Sequence, residues 1–402
     1  MSIGSAAASF VPRELPYTVP LDGTLQSRSL QPLGKVEFNR PYASLSMAKI
    51  ASTLALPSPN VDHDPMKITA LQQLIEALSR PESVSAVLSE GVFVELVVNS
   101  SNESAEIRAL ACQALAIVTK HRAGREFAIA ADIVPRLSGL ADSDKEKSEA
   151  VRRQVLQSFV HMTASAAGIA HLQARGVLRQ CIRKLPTEPD LTTHARCLQV
   201  LFESVREPAA WTHCIGEGVV DILASVLQSK LSASSEQYRS AADDVVVAGG
   251  VVATKLRPLF LSLEYCCQLV AHISAPALAG KDACVGAGMV AMLTSLLPHP
   301  VPAIRIASSL SLQNLTNSES GKVASLKAQS IPALLLVMHD EEEMVQCQVM
   351  QCITNIAEHP KGKTDPGVVK AVELLKQRAQ QHPSQKVRHA AKLAIDQITW
   401  QP

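Results

Sequence analysis

A short turn, an apolar helical stretch and a longer amphipathic stretch return along most of this chain at a nearly constant spacing. The turn positions fall at Gly91, Asp132, Gly176, Gly218, Gly288, Ser330 and Gly367, at intervals of 41, 44, 42, 70, 42 and 37 residues. A unit of that size cannot bury its own apolar face and must stack on its neighbours. The repeat therefore constrains the chain to a linear helical array rather than separate globular cores. Composition agrees: hydrophobic residues make up 47% of the 402, but aromatics only 3%. That disfavours a β-sandwich, whose strands are filled by Tyr, Phe and Trp. Ala, Leu and Val carry the apolar content and suit close helix-on-helix packing.

Each unit reads as three helices. The second opens on sequences such as Ile133-Val134-Pro135-Arg136-Leu137 or Ile331-Pro332-Ala333-Leu334-Leu335. Proline is tolerated there because the first-turn N–H has no intrahelical partner. The third opens on an apolar–basic pair and continues at 3–4 spacing, as from Ile304-Arg305 through Leu310, Leu312 and Leu315. Three helices per unit is the armadillo pattern, and residues 42–398 resemble an armadillo-repeat protein. The best-matching units are Leu88–Lys120, Ala131–Met162, Ala283–Asn317 and Ala328–Glu358. The resemblance implies an all-α, right-handed armadillo-repeat α-solenoid of about eight units. Its last segment, Val368–Ile395, reads as a cap. Its first, Ala43–Leu78, has lost one helix and begins near Met47.

Two stretches break the pattern. Residues 1–41, with Pro12, Pro16, Pro20 and Pro32 among Ser, Gly and Thr, read as a Pro-rich, largely irregular tail. The 70-residue interval holds one unit plus Ser229–Leu256. Its Ser232, Ser234 and Ser235 and its Gly249-Gly250 pair are expected to resist packing and to form an exposed excursion.

The chemistry-bearing residues form no recognisable constellation. Phosphate-binding Gly loops, His-Glu-x-x-His and Gly-x-Ser-x-Gly do not occur in the sequence. Cys112, Cys197, Cys266, Cys267, Cys347 and Cys352 lie in apolar helices, where thiols pack as small hydrophobes. The expectation is no enzyme, no cofactor and no metal. Nine cysteines without a Cys-x-x-Cys motif point to a reducing compartment. A formal net charge of +1 gives no support to nucleic-acid or membrane binding, and the longest apolar run, Val245–Ala253, is too short to span a bilayer. No secretory leader is read at the start, and a cytoplasmic location is expected.

In an armadillo stack the third helices line the concave face. Nine residues after each helix-opening basic position fall Ile117, His161, Glu203, Gln268, Asn314 and Asn355. Four residues earlier, on the same helical face, fall Gln113, Gln157, Gln199, Glu264, Leu310 and Gln351, with Gln72 and Glu76 in the first unit. Nuclear-import adaptors of this fold carry Trp where this chain has mainly Gln, so a receptor for lysine-rich peptides is disfavoured. The amides of Gln72, Gln113, Gln157, Gln199 and Gln351 either hold a partner's extended backbone or form a solvated helix face. The Pro-rich tail is one candidate occupant. At the far end, Lys361, Lys363, Lys370, Lys376, Arg378, Lys386, Arg388 and Lys392 outnumber Asp365 and Glu373. This basic cap either docks an acidic or microtubule-associated surface or is a solvated terminal unit. Arg108, Arg152, Arg305 and Arg388 open their helices and are expected to make contacts between units.

A narrower resemblance lies in Val61–Leu140. It is carried by Asp62-His63-Asp64-Pro65-Met66-Lys67, by Val84, Val87, Leu88, Ser89, Glu90 and Gly91, by Arg122-Ala123-Gly124-Arg125-Glu126-Phe127, and by Asp132 through Leu137. Together these are similar to the radial spoke head protein 14 family of cilia and flagella. The similarity implies a non-enzymatic scaffold subunit of the axonemal radial spoke, with other spoke subunits as partners. The alternative is a cytosolic adaptor or cargo receptor that binds extended peptides.

Overall fold

The computed structural model describes residues 46–245 and 251–400. The proposed tail, 1–41, lies outside them. The described chain is all-helical and forms eight successive units. The first has two helices, Met47–Leu54 and His63–Ala77. Six full units follow, whose third helices are Ala105–Lys120, Glu149–Met162, Leu191–Ser204, Val251–Ser274, Pro302–Thr316 and Glu343–Ala357. The eighth consists of a short Pro360–Lys363 helix, then Pro366–Gln381 and Gln385–Thr399. Each third helix packs on the third helix of the next unit, from His63–Ala77 through to Gln385–Thr399. The core is this stack of apolar faces, with Leu71, Leu115, Phe159, Leu198, Leu263, Leu312, Val349 and Val387 fully buried.

The turn between first and second helices needs a left-handed residue. Gly91, Gly176, Gly218 and Gly288 have φ of 74–77°, which glycine adopts without steric cost. Asp132 and Gln329 take the same role at φ 48° and 52°. The left-handed residue of the seventh unit is therefore Gln329, one position before the expected Ser330. Gly367 does not serve as a turn: it lies in the first turn of Pro366–Gln381 and donates its N–H to Asp365 Oδ1 at 2.7 Å.

A second glycine set was not foreseen from the sequence. At Gly124, Gly168, Gly280, Gly321 and Gly362 an added Cβ would overlap the carbonyl oxygen of Val118, Met162, Ile273, Leu315 and Ile356 respectively. Each glycine sits in the first helix of a unit, and each carbonyl near the end of the preceding third helix. The fifth unit carries fully buried Ala210 at the corresponding place.

Ser229–Leu256, expected as an exposed excursion, is helical up to Val245 and again from Val251. The second helix of the fifth unit runs Val219–Val245 and the third runs Val251–Ser274, so both are lengthened; 246–250 lie outside the described residues. Extending a helix that is already nucleated adds a hydrogen bond per residue, and Ser, Ala and Gln do not prevent it. Among the described residues no single helix is long and apolar enough to cross a membrane.

Units are joined by a recurring polar clamp. Arg108 Nη1 donates to the carbonyls of Asn102 and Glu103 in its own loop, at 2.9 and 2.8 Å, and its Nε and Nη2 bind Glu146 of the next unit at 2.7 and 2.9 Å. Arg152 repeats this with the Glu146 carbonyl at 2.9 Å and Glu188 Oε1 at 3.0 Å. Arg305 repeats it with the His299 and Pro300 carbonyls and with Asp340. Arg388, in the last unit, keeps only the loop half, to His382 and Pro383. Burial alone would raise the Glu146 carboxyl. Arg108 and the Ser148 N–H outweigh it and hold the group below the usual carboxylate range. In the fourth unit His194 replaces the arginine and bonds Ser262 Oγ through Nδ1 at 3.1 Å.

The Arg152–Glu188 pair is 3% and 2% exposed. Arg152→Met strands a buried carboxylate and should cost about 3–5 kcal/mol in urea unfolding. Arg152→Met with Glu188→Leu should recover most of that loss. A double variant as unstable as the single one would show that the clamp does not act as a pair. Burial, reinforced by Lys230, lowers the His194 pKa to about 3. A depressed folded pKa means that the unfolded chain binds the proton more readily. The stability His194 supplies is present above its unfolded pKa, about 6.5, and is lost as pH falls towards its folded pKa. His194→Leu should flatten the unfolding midpoint between pH 6 and pH 4; an unchanged slope would rule this out.

Candidate protein-binding face

The third helices align side by side, so residues nine and five positions after the clamp arginine recur at equivalent places on one layer. The structure separates these polar positions into two kinds. One kind bonds back to the preceding unit. His161 Nδ1 donates to the Ala116 carbonyl at 2.7 Å, and its Nε2 accepts from Gln157 Nε2 at 2.8 Å. Burial lowers the His161 pKa and keeps the ring neutral, as that pairing requires. Asn314 Nδ2 donates to the Ala271 carbonyl at 2.9 Å. Asn355 Nδ2 donates to the Gln313 carbonyl at 3.3 Å and to Thr316 Oγ1 at 3.1 Å, and Asn355 Oδ1 accepts from Gln351 at 2.9 Å. These side chains join third helix to third helix.

The other kind faces outward. Gln72 is exposed and Gln113 half-buried, and among the described residues neither makes a side-chain hydrogen bond. Gln199 accepts from Arg196 at 2.6 Å and Glu203 pairs with Arg206 at 2.5 Å, while Gln268 turns inward, its Oε1 buried and its Nε2 donating to Glu264 at 3.0 Å. Burial raises the Glu264 pKa. Ile117 and Leu310 add half-buried apolar contacts to the same layer. Trp211 stands away from it, on the first helix of the fifth unit, where its Nε1 donates to the Ile273 carbonyl at 3.3 Å.

The basic cap is smaller than its sequence suggests. Arg378 is 9% exposed and binds Gln346 Oε1 at 2.6 Å and His339 Nδ1 at 2.7 Å, so it joins the last two units instead of facing a partner. Arg388 is half-buried and committed to its loop carbonyls. Lys376, Lys386 and Lys392 are exposed, and Lys376 pairs with Glu373 at 2.9 Å.

The thiols behave as packing groups. Cys112, Cys214, Cys266, Cys284 and Cys352 are buried, and burial pushes each up to about 12. A thiol held that high stays protonated and is a poor nucleophile or metal ligand.

No family model matches the sequence, and no curated relative matches it. Solved structures do share its fold. A crystal structure of an engineered protein aligns with a TM-score of 0.56 at 20% identity, covering 88% of each chain. A designed armadillo repeat protein aligns with a TM-score of 0.52 at 14% identity, over 65% of this chain and 98% of its own. Another, in complex with a (KR)4 peptide, aligns with a TM-score of 0.52 at 14% identity, over 66% of this chain and 99% of its own. The chain has the armadillo-repeat fold.

The two kinds of polar residue respond differently to truncation. Asn355→Ala removes a donor to a buried hydroxyl and should lower stability by about 1–3 kcal/mol. Gln113→Ala, with no bond to lose, should stay within about 0.5 kcal/mol of the parent in the same urea titration. Equal losses at both positions would contradict the division.

Proposed function

We propose that this chain is a non-enzymatic protein–protein interaction scaffold whose third-helix layer receives an extended partner segment. The observation that carries this reading is the continuous layer itself. It offers free amides at Gln72 and Gln113, and an amide and a carboxylate with local partners at Gln199 and Glu203. An extended segment brings unpaired N–H and C=O groups, and each hydrogen bond to a side-chain amide adds about 0.5–1.5 kcal/mol net. The designed armadillo protein that holds a (KR)4 peptide supports peptide binding by this fold.

Within that reading we place the chain as a structural subunit of the axonemal radial spoke, in a cilium or flagellum. The support is the resemblance in Val61–Leu140. Exposed Lys376, Lys386 and Lys392 at the far end supply a charge that suits an acidic or microtubule-associated surface. A fluorescently tagged chain expressed at its native level should co-purify with isolated axonemes and stay bound through a high-salt wash. A diffuse cytoplasmic signal, or release at moderate salt, would reject the spoke assignment and favour a cytosolic adaptor.

A further inference from the structure

A cavity of about 250 Å³ opens between the third helices of the fourth and fifth units. This joint lacks the arginine clamp, because His194 occupies the arginine position and turns to Ser262. Two other guanidiniums line the cavity instead, Arg196 and Arg257, with the hydroxyl-bearing Thr192 and Tyr265 and an apolar wall that includes Pro258 and Leu261. Among the described residues no carboxylate lines it. Arg196 has one neutral partner, the Gln199 amide oxygen at 2.6 Å. Arg257 is exposed and makes no ion pair among the described residues. Of the described acids near it in the sequence, three already have partners, Glu203 pairing with Arg206. Asp190 takes two hydrogen bonds from Arg153, at 2.7 and 2.6 Å, and Glu264 accepts from Gln268.

Two permanent positive charges thus face a cavity whose described lining supplies no counter-charge. A carboxylate would neutralise only one of them. A phosphate monoester carries close to two negative charges and three acceptor oxygens, which match both guanidiniums and the two hydroxyls. Arginine pairs with phosphate through parallel N–H donors, stronger than neutral hydrogen bonds. The apolar wall accommodates an arm that joins the phosphate to a chain, and Gln199 places the cavity beside the outward-facing polar positions.

We propose that this cavity is a binding site for a phosphorylated side chain of a partner polypeptide. Attribution of the phosphate to a partner rests on the third-helix layer being the contact surface. The phosphate site itself does not.

The test is calorimetric titration of the full chain with phenyl phosphate, inorganic phosphate and phenylacetate. Phenyl phosphate should saturate one site, with inorganic phosphate and phenylacetate each roughly tenfold weaker or more. R196Q/R257Q should weaken phenyl phosphate by roughly tenfold or more, and the exposed-site variant R257Q alone should weaken it measurably. K376Q/K386Q, at the distant cap, should leave it unchanged. Absence of saturable binding, indifference to R196Q/R257Q and R257Q, or equal affinity for phenylacetate would overturn the proposal. Equal affinity for inorganic phosphate would overturn the side-chain assignment in favour of a free anion. Because the titration contains no partner, failure of the third-helix layer as a contact surface would leave the titration intact and show only in complex assembly.

Discussion

The tightest constraint in this molecule is a backbone approach. The first helix of a unit passes so close to the end of the preceding third helix that a Cβ at Gly124, Gly168, Gly280, Gly321 or Gly362 would overlap a main-chain carbonyl. That contact closes the elbow between units and lays consecutive third helices side by side. The apolar stack follows, because a short unit cannot otherwise cover its own face. The polar layer follows in turn, since side chains at equivalent positions on parallel helices fall into rows.

The arginine clamp adds register to this packing. Arg108, Arg152 and Arg305 each tie their own loop carbonyls to a carboxylate of the next unit. Buried ion pairs of this kind contribute little net stability against an apolar replacement, yet losing one partner is costly. Where the clamp lapses, at His194, the structure changes character. The helices beyond lengthen, and the cavity between Arg196 and Arg257 opens. The clamp position of the fourth unit, the helix lengths of the fifth and the surface chemistry between them therefore depart from the array together.

The fold was legible because its signals repeat. Turn glycines and apolar periodicity gave the helical array, and Arg108, Arg152 and Arg305 were recognisable as contacts between units, whereas Arg388 bonds only its own loop. Four features were not legible, each for a physical reason. The elbow glycines resemble ordinary helix residues until the carbonyl beside them is located. Ser229–Leu256 carries turn-forming residues, but the helices on either side continue into it. Gln329 holds the left-handed turn because no glycine stands there and the neighbouring packing imposes the conformation. Arg378 counts as surface charge in a sequence but is buried against Gln346 and His339. At the candidate face the sequence located the row of polar positions. It did not show that His161, Asn314 and Asn355 are bonded to the unit before, which leaves Gln72 and Gln113 as the free amides.

The central claim is that partners bind on the third-helix layer. Site-specific photo-crosslinking tests it most directly. One crosslinker replaces Gln113, on that layer, and another replaces Arg122, an exposed first-helix residue. Irradiated within its native assembly, the chain is predicted to form a partner adduct from position 113 and none from position 122. An adduct from position 122 alone would contradict the account.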